Sequence, residues 1–170
     1  MTTENPAHHA LIIVDTHGLL AAFEQLPSDP ASPADLAPRH FCILHSRPAT
    51  DETLLLGTPE LLVEAGDTLL LHMVPVALLG EEMLFSHSPT SEPPLDIALI
   101  EQRNLHLALP DASAPLQPTS RQVDTYHWHI RCDAPGEFRL AWQVMVLAQG
   151  CEPLAHFTLR LALRTNGRTQ

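Results

Sequence analysis

Val123-Asp-Thr-Tyr-His-Trp-His-Ile-Arg-Cys132 alternates two kinds of side chain with a period of two. Tyr126, Trp128, Ile130 and Cys132 share one face, and Thr125, His127, His129 and Arg131 share the other. Successive side chains of a strand point to opposite sides of a sheet, so this stretch reads as a strand with one buried face. Asp133-Ala-Pro-Gly136 follows as a turn, and Phe138, Leu140, Trp142, Val144 and Val146 are the inward set of the next strand. Gly150 and Pro153 bound a hairpin connection, after which Phe157, Leu159, Leu161 and Leu163 alternate with His156, Thr158, Arg160 and Ala162. Three long alternating strands in succession predict an antiparallel meander. The expected class is all-β, a single antiparallel β-sandwich or jelly-roll-like domain spanning 1–170.

The rest of the chain fits that class. Ala10-Leu-Ile-Ile-Val-Asp15 is a short, β-branched apolar run, which argues a buried strand, and Leu19 to Gln25 reads as a short helix. Pro27, Pro30, Pro33 and Pro38 then crowd one stretch into a long ordered loop. His40 to Ser46 is a strand, and Glu60 to Asp67 and Thr68 to Pro75 are two strands around an Ala-Gly-Asp turn. Glu82 to His87 is a further strand and Ser88 to Pro94 a loop. Ile97 to Leu109 stays open between helix and strand, and Pro110 to Ser120 is another proline-rich connection. Residues 1–9 and 165–170 are expected to be flexible ends.

Composition sets the outer limits. The chain has 170 residues, enough to bury a core, and 45 % of them are hydrophobic. Sixteen prolines against seven glycines demand many connections and edges, because proline has no N–H for a helix interior or a central strand. Twenty acids face nine bases, all of them arginine, for a formal charge of −11. Such a chain repels phosphate backbones and anionic lipid, so neither nucleic acid nor membrane is an expected partner. Eleven histidines would cut that charge between about pH 7 and pH 5. No segment reads as a signal peptide or membrane span, and three cysteines without CxxC spacing fit a reducing compartment. A cytoplasmic location is expected.

Two motifs suggest ligand chemistry. His127-Trp128-His129 aims two imidazoles to one side of a strand, as a divalent transition-metal site requires, and Asp133 follows as an acid does in the first cupin motif. The upstream glycine and a second His-containing motif are missing, and the plainer alternative puts both histidines on a solvent face. Ala65-Gly-Asp-Thr68 with Cys132-Asp-Ala-Pro-Gly-Glu137 is similar to a cupredoxin plan, but Glu137 stands where a histidine ligand would. His72 or His156 would have to complete any site built on His127 and His129. Small-ligand or carbohydrate binding is a further option, with Trp128 as a candidate binding residue, although one Tyr and two Trp make few sugar platforms.

Catalytic signatures are absent: there is no GxSxG, HExxH, Walker loop or Gly-rich dinucleotide turn. Asp15-Thr-His17 could be read as an acid–base pair or binding element, but Asp15 is better explained as a strand-end carboxylate capping backbone N–H groups. Glu81-Glu82 reads as solvated surface. No catalytic residues and no cofactor are expected.

Leu11-Ile-Ile-Val-Asp-Thr-His-Gly-Leu-Leu-Ala-Ala22, with Pro27 and Asp29-Pro-Ala-Ser-Pro33, resembles the opening of the bacterial PixA/AidA inclusion-body protein family. Val63-Glu-Ala-Gly-Asp67 and Ala134-Pro-Gly-Glu-Phe138 are similar to later landmarks of that family, so the resemblance spans most of the chain. It departs at the end, where His156-Phe-Thr-Leu-Arg-Leu-Ala162 lacks the family's Trp-Asp-Pro, and in having only four methionines. The resemblance implies a divergent member: a non-enzymatic cytoplasmic β-sandwich linked to inclusion formation, quorum sensing or host association. It implies action by self-association as a homo-oligomer or by ligand binding.

Overall fold

The computed structural model describes residues 7–45, 60–76, 82–109, 113 and 119–167. Ten strands, one short helix and one 3₁₀ turn make up these segments. In chain order they are β1 (Ala7–Val14), α1 (Thr16–Ala21), β2 (Ala34–Asp35), the 3₁₀ turn Pro38–His40, β3 (Phe41–His45), β4 (Glu60–Glu64) and β5 (Asp67–Pro75). Then come β6 (Glu82–Glu92), β7 (Asp96–Leu109), β8 (Thr119–Cys132), β9 (Gly136–Ala148) and β10 (Pro153–Asn166). They form two mixed sheets. Sheet A has the order β3-β1-β5-β8-β7, and sheet B the order β2-β10-β9-β6, with β4 also paired to β10.

The inward sets read from alternation are the core. Phe138, Leu140, Trp142, Val144 and Val146 from β9, and Phe157, Leu159, Leu161 and Leu163 from β10, are buried in sheet B. Ile12 and Val14, Leu69 and Leu71, and Trp128 and Ile130 are buried from sheet A. Burying such side chains contributes roughly 1.5–3 kcal/mol each, so this two-sided layer dominates the stability.

Strand pairing corrects the expected meander. β9 and β10 form the predicted antiparallel hairpin, but β8 lies in sheet A, paired with β5 and β7. Alternation reports one buried face per strand, and it looks the same whether two strands are neighbours or face one another across a core. The turn after Cys132 therefore crosses between sheets. So does Ala65-Gly66, which joins β4 in sheet B to β5 in sheet A. The two crossings meet: Gly66 N–H donates to the Cys132 carbonyl at 2.7 Å, and Ala65 N–H to that of Asn166 at 2.8 Å. Gly66 has φ +93°, a backbone conformation that side-chain-bearing residues avoid. The pairs β1–β5, β10–β2 and β10–β4 are parallel, which only long crossovers allow.

Other boundaries move as well. The helix covers Thr16–Ala21 rather than 19–25, because Asp15 caps it: its carboxylate accepts from Gly18 N–H at 2.9 Å. Ser88–Pro89 is a bulge within β6 and not a loop; Ser88 has φ 48°, and the strand resumes pairing with β9 at Thr90. A proline is tolerated there because β6 is the edge of sheet B. Residues 97–109, left open between helix and strand, are strand throughout. Residues 7–9 and 165–166, expected within flexible ends, are strand, since β1 begins at Ala7 and β10 runs to Asn166; residues 1–6 and 168–170 lie outside the described residues. Within β10, Thr165 is buried and donates its hydroxyl to the Ala134 carbonyl at 2.7 Å. Glu81 and most of 110–118 lie outside the described residues.

Candidate functional site

The outer face of sheet A, turned away from the core, carries His9, His72, His127 and His129. Register sets them in rows. Leu44 pairs with Leu11, Leu11 with His72, and His127 with Ile100; one row along, His9 pairs with Leu70, Leu70 with His129, and His129 with Ala98. Carried one pair further, the β5–β8 register sets His72 beside His127. An open groove of about 550 Å³ runs over this face, lined by His9, Leu11, Leu44, Leu70, His72 and His127 among others. That volume falls within the range of small-molecule clefts.

Electrostatics follow from crowding. Burial, first, and then the neighbouring His129, His72 and His9, hold the His127 imidazole below its ordinary pKa. His72 Nδ1 lies 2.6 Å from the Tyr126 carbonyl oxygen, which can only accept, so Nδ1 carries a proton. Asp96 is the one carboxylate at the described outward positions of the five strands, and it lies 3.5 Å from Arg131. In a chain with twenty acids, this face is almost free of them.

The predicted site residues divide. His127 and His129 do point to one side, and His72 joins them. His156 does not: it sits on the outer face of sheet B, across the core. Trp128 is not a binding residue of this face. It is buried, and its indole N–H donates to Ser86 Oγ at 2.9 Å, tying β8 to β6. Trp142 is buried as well, so neither tryptophan offers a platform to a sugar. Asp15 is the helix cap described above and does not line the groove. Asp133, the cupin-like acid, pairs with Arg131 at 3.3 Å. Cys132 points into the core, where burial and the nearby Asp67 and Asp133 push its thiol up to about 11, far from a thiolate ligand. Among the described residues no group of three or more His, Cys, Asp or Glu is arranged to hold a metal ion.

Leu11, Leu44 and Leu70 were missed by sequence reasoning because their strands were read singly, and His9 because residues 1–9 were expected to be a flexible end. A second cluster was missed for the same reasons. His8, inward from β1, lies 2.7 Å from the Asp67 carboxylate of β5 and stacks on His45 at 5.7 Å between ring centroids. Alternation of His8 and His9 along β1 was the available signal, since adjacent histidines on one strand must serve opposite faces.

Two mixed sheets of this order, with sheet-crossing turns and, among the described residues, a helix only at the first strand's end, define an all-β two-sheet sandwich. Neither a family model nor a curated relative matches the sequence. Among solved structures, the inclusion body protein PixA from Burkholderia cenocepacia J2315 superposes with a TM-score of 0.69 at 13 % identity. The match covers 98 % of this chain and 99 % of that one. The likeness runs the length of both chains, so the resemblance read from the sequence holds at the level of the fold. No helix among the described residues is long and apolar enough to cross a membrane.

Proposed function

We propose that this chain is a non-enzymatic, cytoplasmic β-sandwich that works by associating with copies of itself. The observation that carries this reading is the outer face of sheet A, apolar and imidazole-rich, with a single carboxylate in a chain of charge −11. Sandwich faces not engaged with a partner are ordinarily polar, and large apolar patches mark interaction sites. Like charge keeps the rest of the surface of two copies apart. The inclusion-body protein of the same fold supports the reading. Sedimentation velocity over a wide concentration range, above the histidine titration range, tests it. A mass that rises with concentration is expected, and a strictly monomeric chain at every concentration refutes it.

A second reading is favoured by the groove itself. Imidazoles at His72 and His127 beside Leu11, Leu44 and Leu70 suit a small amphipathic carboxylate. Titrating octanoate while following histidine ring resonances tests this; His72 and His127 signals that stay in place rule it out.

A further inference from the structure

The far half of the β7–β8 pair leaves the body of the sandwich. β5 pairs with β8 only over Asp67–Leu71, opposite Cys132 to Trp128, so residues 119–125 of β8 have β7 as their one strand partner among the described residues. Every residue from Leu99 to Leu109 is exposed. A two-stranded ribbon is marginal by itself in water, and this one carries Leu105, Leu107 and Leu109 at 40 %, 45 % and 39 % exposure.

A bulge decides where those leucines point. Arg103 and Asn104 together stand opposite the single residue Asp124, between the pairs Gln102–Thr125 and Leu105–Val123. Asn104 has φ 58°, its N–H donates to the Asp124 carboxylate at 2.8 Å, and Arg103 closes an ion pair with Glu101 at 2.9 Å. An extra residue reverses the alternation. An unbulged strand would put Leu105, Leu107 and Leu109 on the side of Leu99 and Trp128, towards the core layer. The bulge turns them to the outer side, in register with Val123, Arg121 and Thr119 and in line with Ile100. The outer face of the ribbon is thus an apolar stripe continuing the histidine face.

Charge says what can cover it. β7 and β8 together hold three carboxylates (Asp96, Glu101, Asp124) and three arginines (Arg103, Arg121, Arg131), so the whole −11 resides elsewhere in the chain. A cationic partner would be drawn to that acidic remainder and not to this stripe. Two ribbons can meet without the repulsion that the rest of the surface imposes. Because the leucines project out of the sheet plane, face-to-face packing buries them, whereas pairing along the open edge of β7 would leave them in water.

We propose that the outer face of β7–β8, from Ile100 to Leu109 with its partners on β8, is the surface on which a second copy of this chain docks, face to face about a two-fold axis. This rests on the self-association reading and names its interface. The test uses the full chain as Leu105→Glu/Leu107→Glu beside a groove variant, Leu11→Glu/Leu44→Glu. Sedimentation velocity is expected to show the ribbon variant monomeric where the unaltered chain is not, with unchanged far-ultraviolet dichroism. A ribbon variant that keeps the unaltered mass overturns the inference while leaving self-association standing. An unaltered chain that is always monomeric sinks both. A second readout does not depend on tolerating the charges: Leu107→Cys in a Cys151→Ser background is expected to give a covalent dimer on mild oxidation. Absence of that dimer, at concentrations where the chain is associated, also overturns it.

Discussion

The indole N–H of Trp128 in sheet A donates to Ser86 Oγ in sheet B at 2.9 Å, so one hydrogen bond spans the core between two strands that share no ladder. Trp142, equally deep, has no acceptor for its N–H among the described residues. Trp128→Phe strands the Ser86 hydroxyl in an apolar layer, whereas Trp142→Phe removes a donor that was already unmatched. The first is expected to cost about 1–3 kcal/mol more than the second beyond what the two lost ring volumes explain. Urea unfolding of both variants checks it, and an equal or reversed ranking contradicts it.

His8 and Asp67 close the end of the sandwich at 2.7 Å, both buried. Asp67→Ala leaves the His8 ring without its acceptor and is expected to destabilise by about 1–3 kcal/mol. Asp67→Asn, which keeps an amide oxygen at that point, should lose less. Thermal unfolding of the pair is the measurement; identical losses would show that the amide oxygen cannot stand in for the carboxylate, and no loss in either would mean the contact is energetically idle.

His127 gives a signed dependence on pH. Its imidazole is held below the ordinary histidine value, chiefly by burial and then by His129, His72 and His9. The unfolded chain therefore takes up this proton first as pH falls. Stability is full above the ordinary histidine pKa and declines as pH drops through the folded value. His127→Gln is expected to flatten that decline, read from unfolding midpoints on either side of the histidine range. A slope unchanged by the substitution would assign the decline to other groups.

Thiol reactivity should follow environment. Cys132 is buried with its thiol pushed up to about 11, and Cys151 is exposed in the β9–β10 turn. Iodoacetamide is expected to label Cys151 in the folded protein and Cys132 only after denaturation. Peptide mapping of the alkylated sites decides, and native-state labelling of Cys132 would show that this corner opens readily.

Period-two alternation of Tyr126 to Cys132, Phe138 to Val146 and Phe157 to Leu163 by itself determined that these are strands and which side of each is buried, because the pleat couples sequence parity to face. Asp15 as a cap was legible too, since a short carboxylate before a helix has a local partner. The partners of those strands were not. Alternation is blind to whether Trp142 and Trp128 sit in one sheet or oppose each other across the core. The meander that parity suggested thus became two sheets joined at Gly66 and Cys132. His127 and His129 were visible as a pair. Only non-local register brought His9, Leu11, Leu44 and His72 beside them, and sent His156 to the far side. The phase of Leu105, Leu107 and Leu109 was decided by one extra residue, at Asn104, held by an aspartate twenty positions away. Local physics determined the faces, and long-range pairing decided what each face meets.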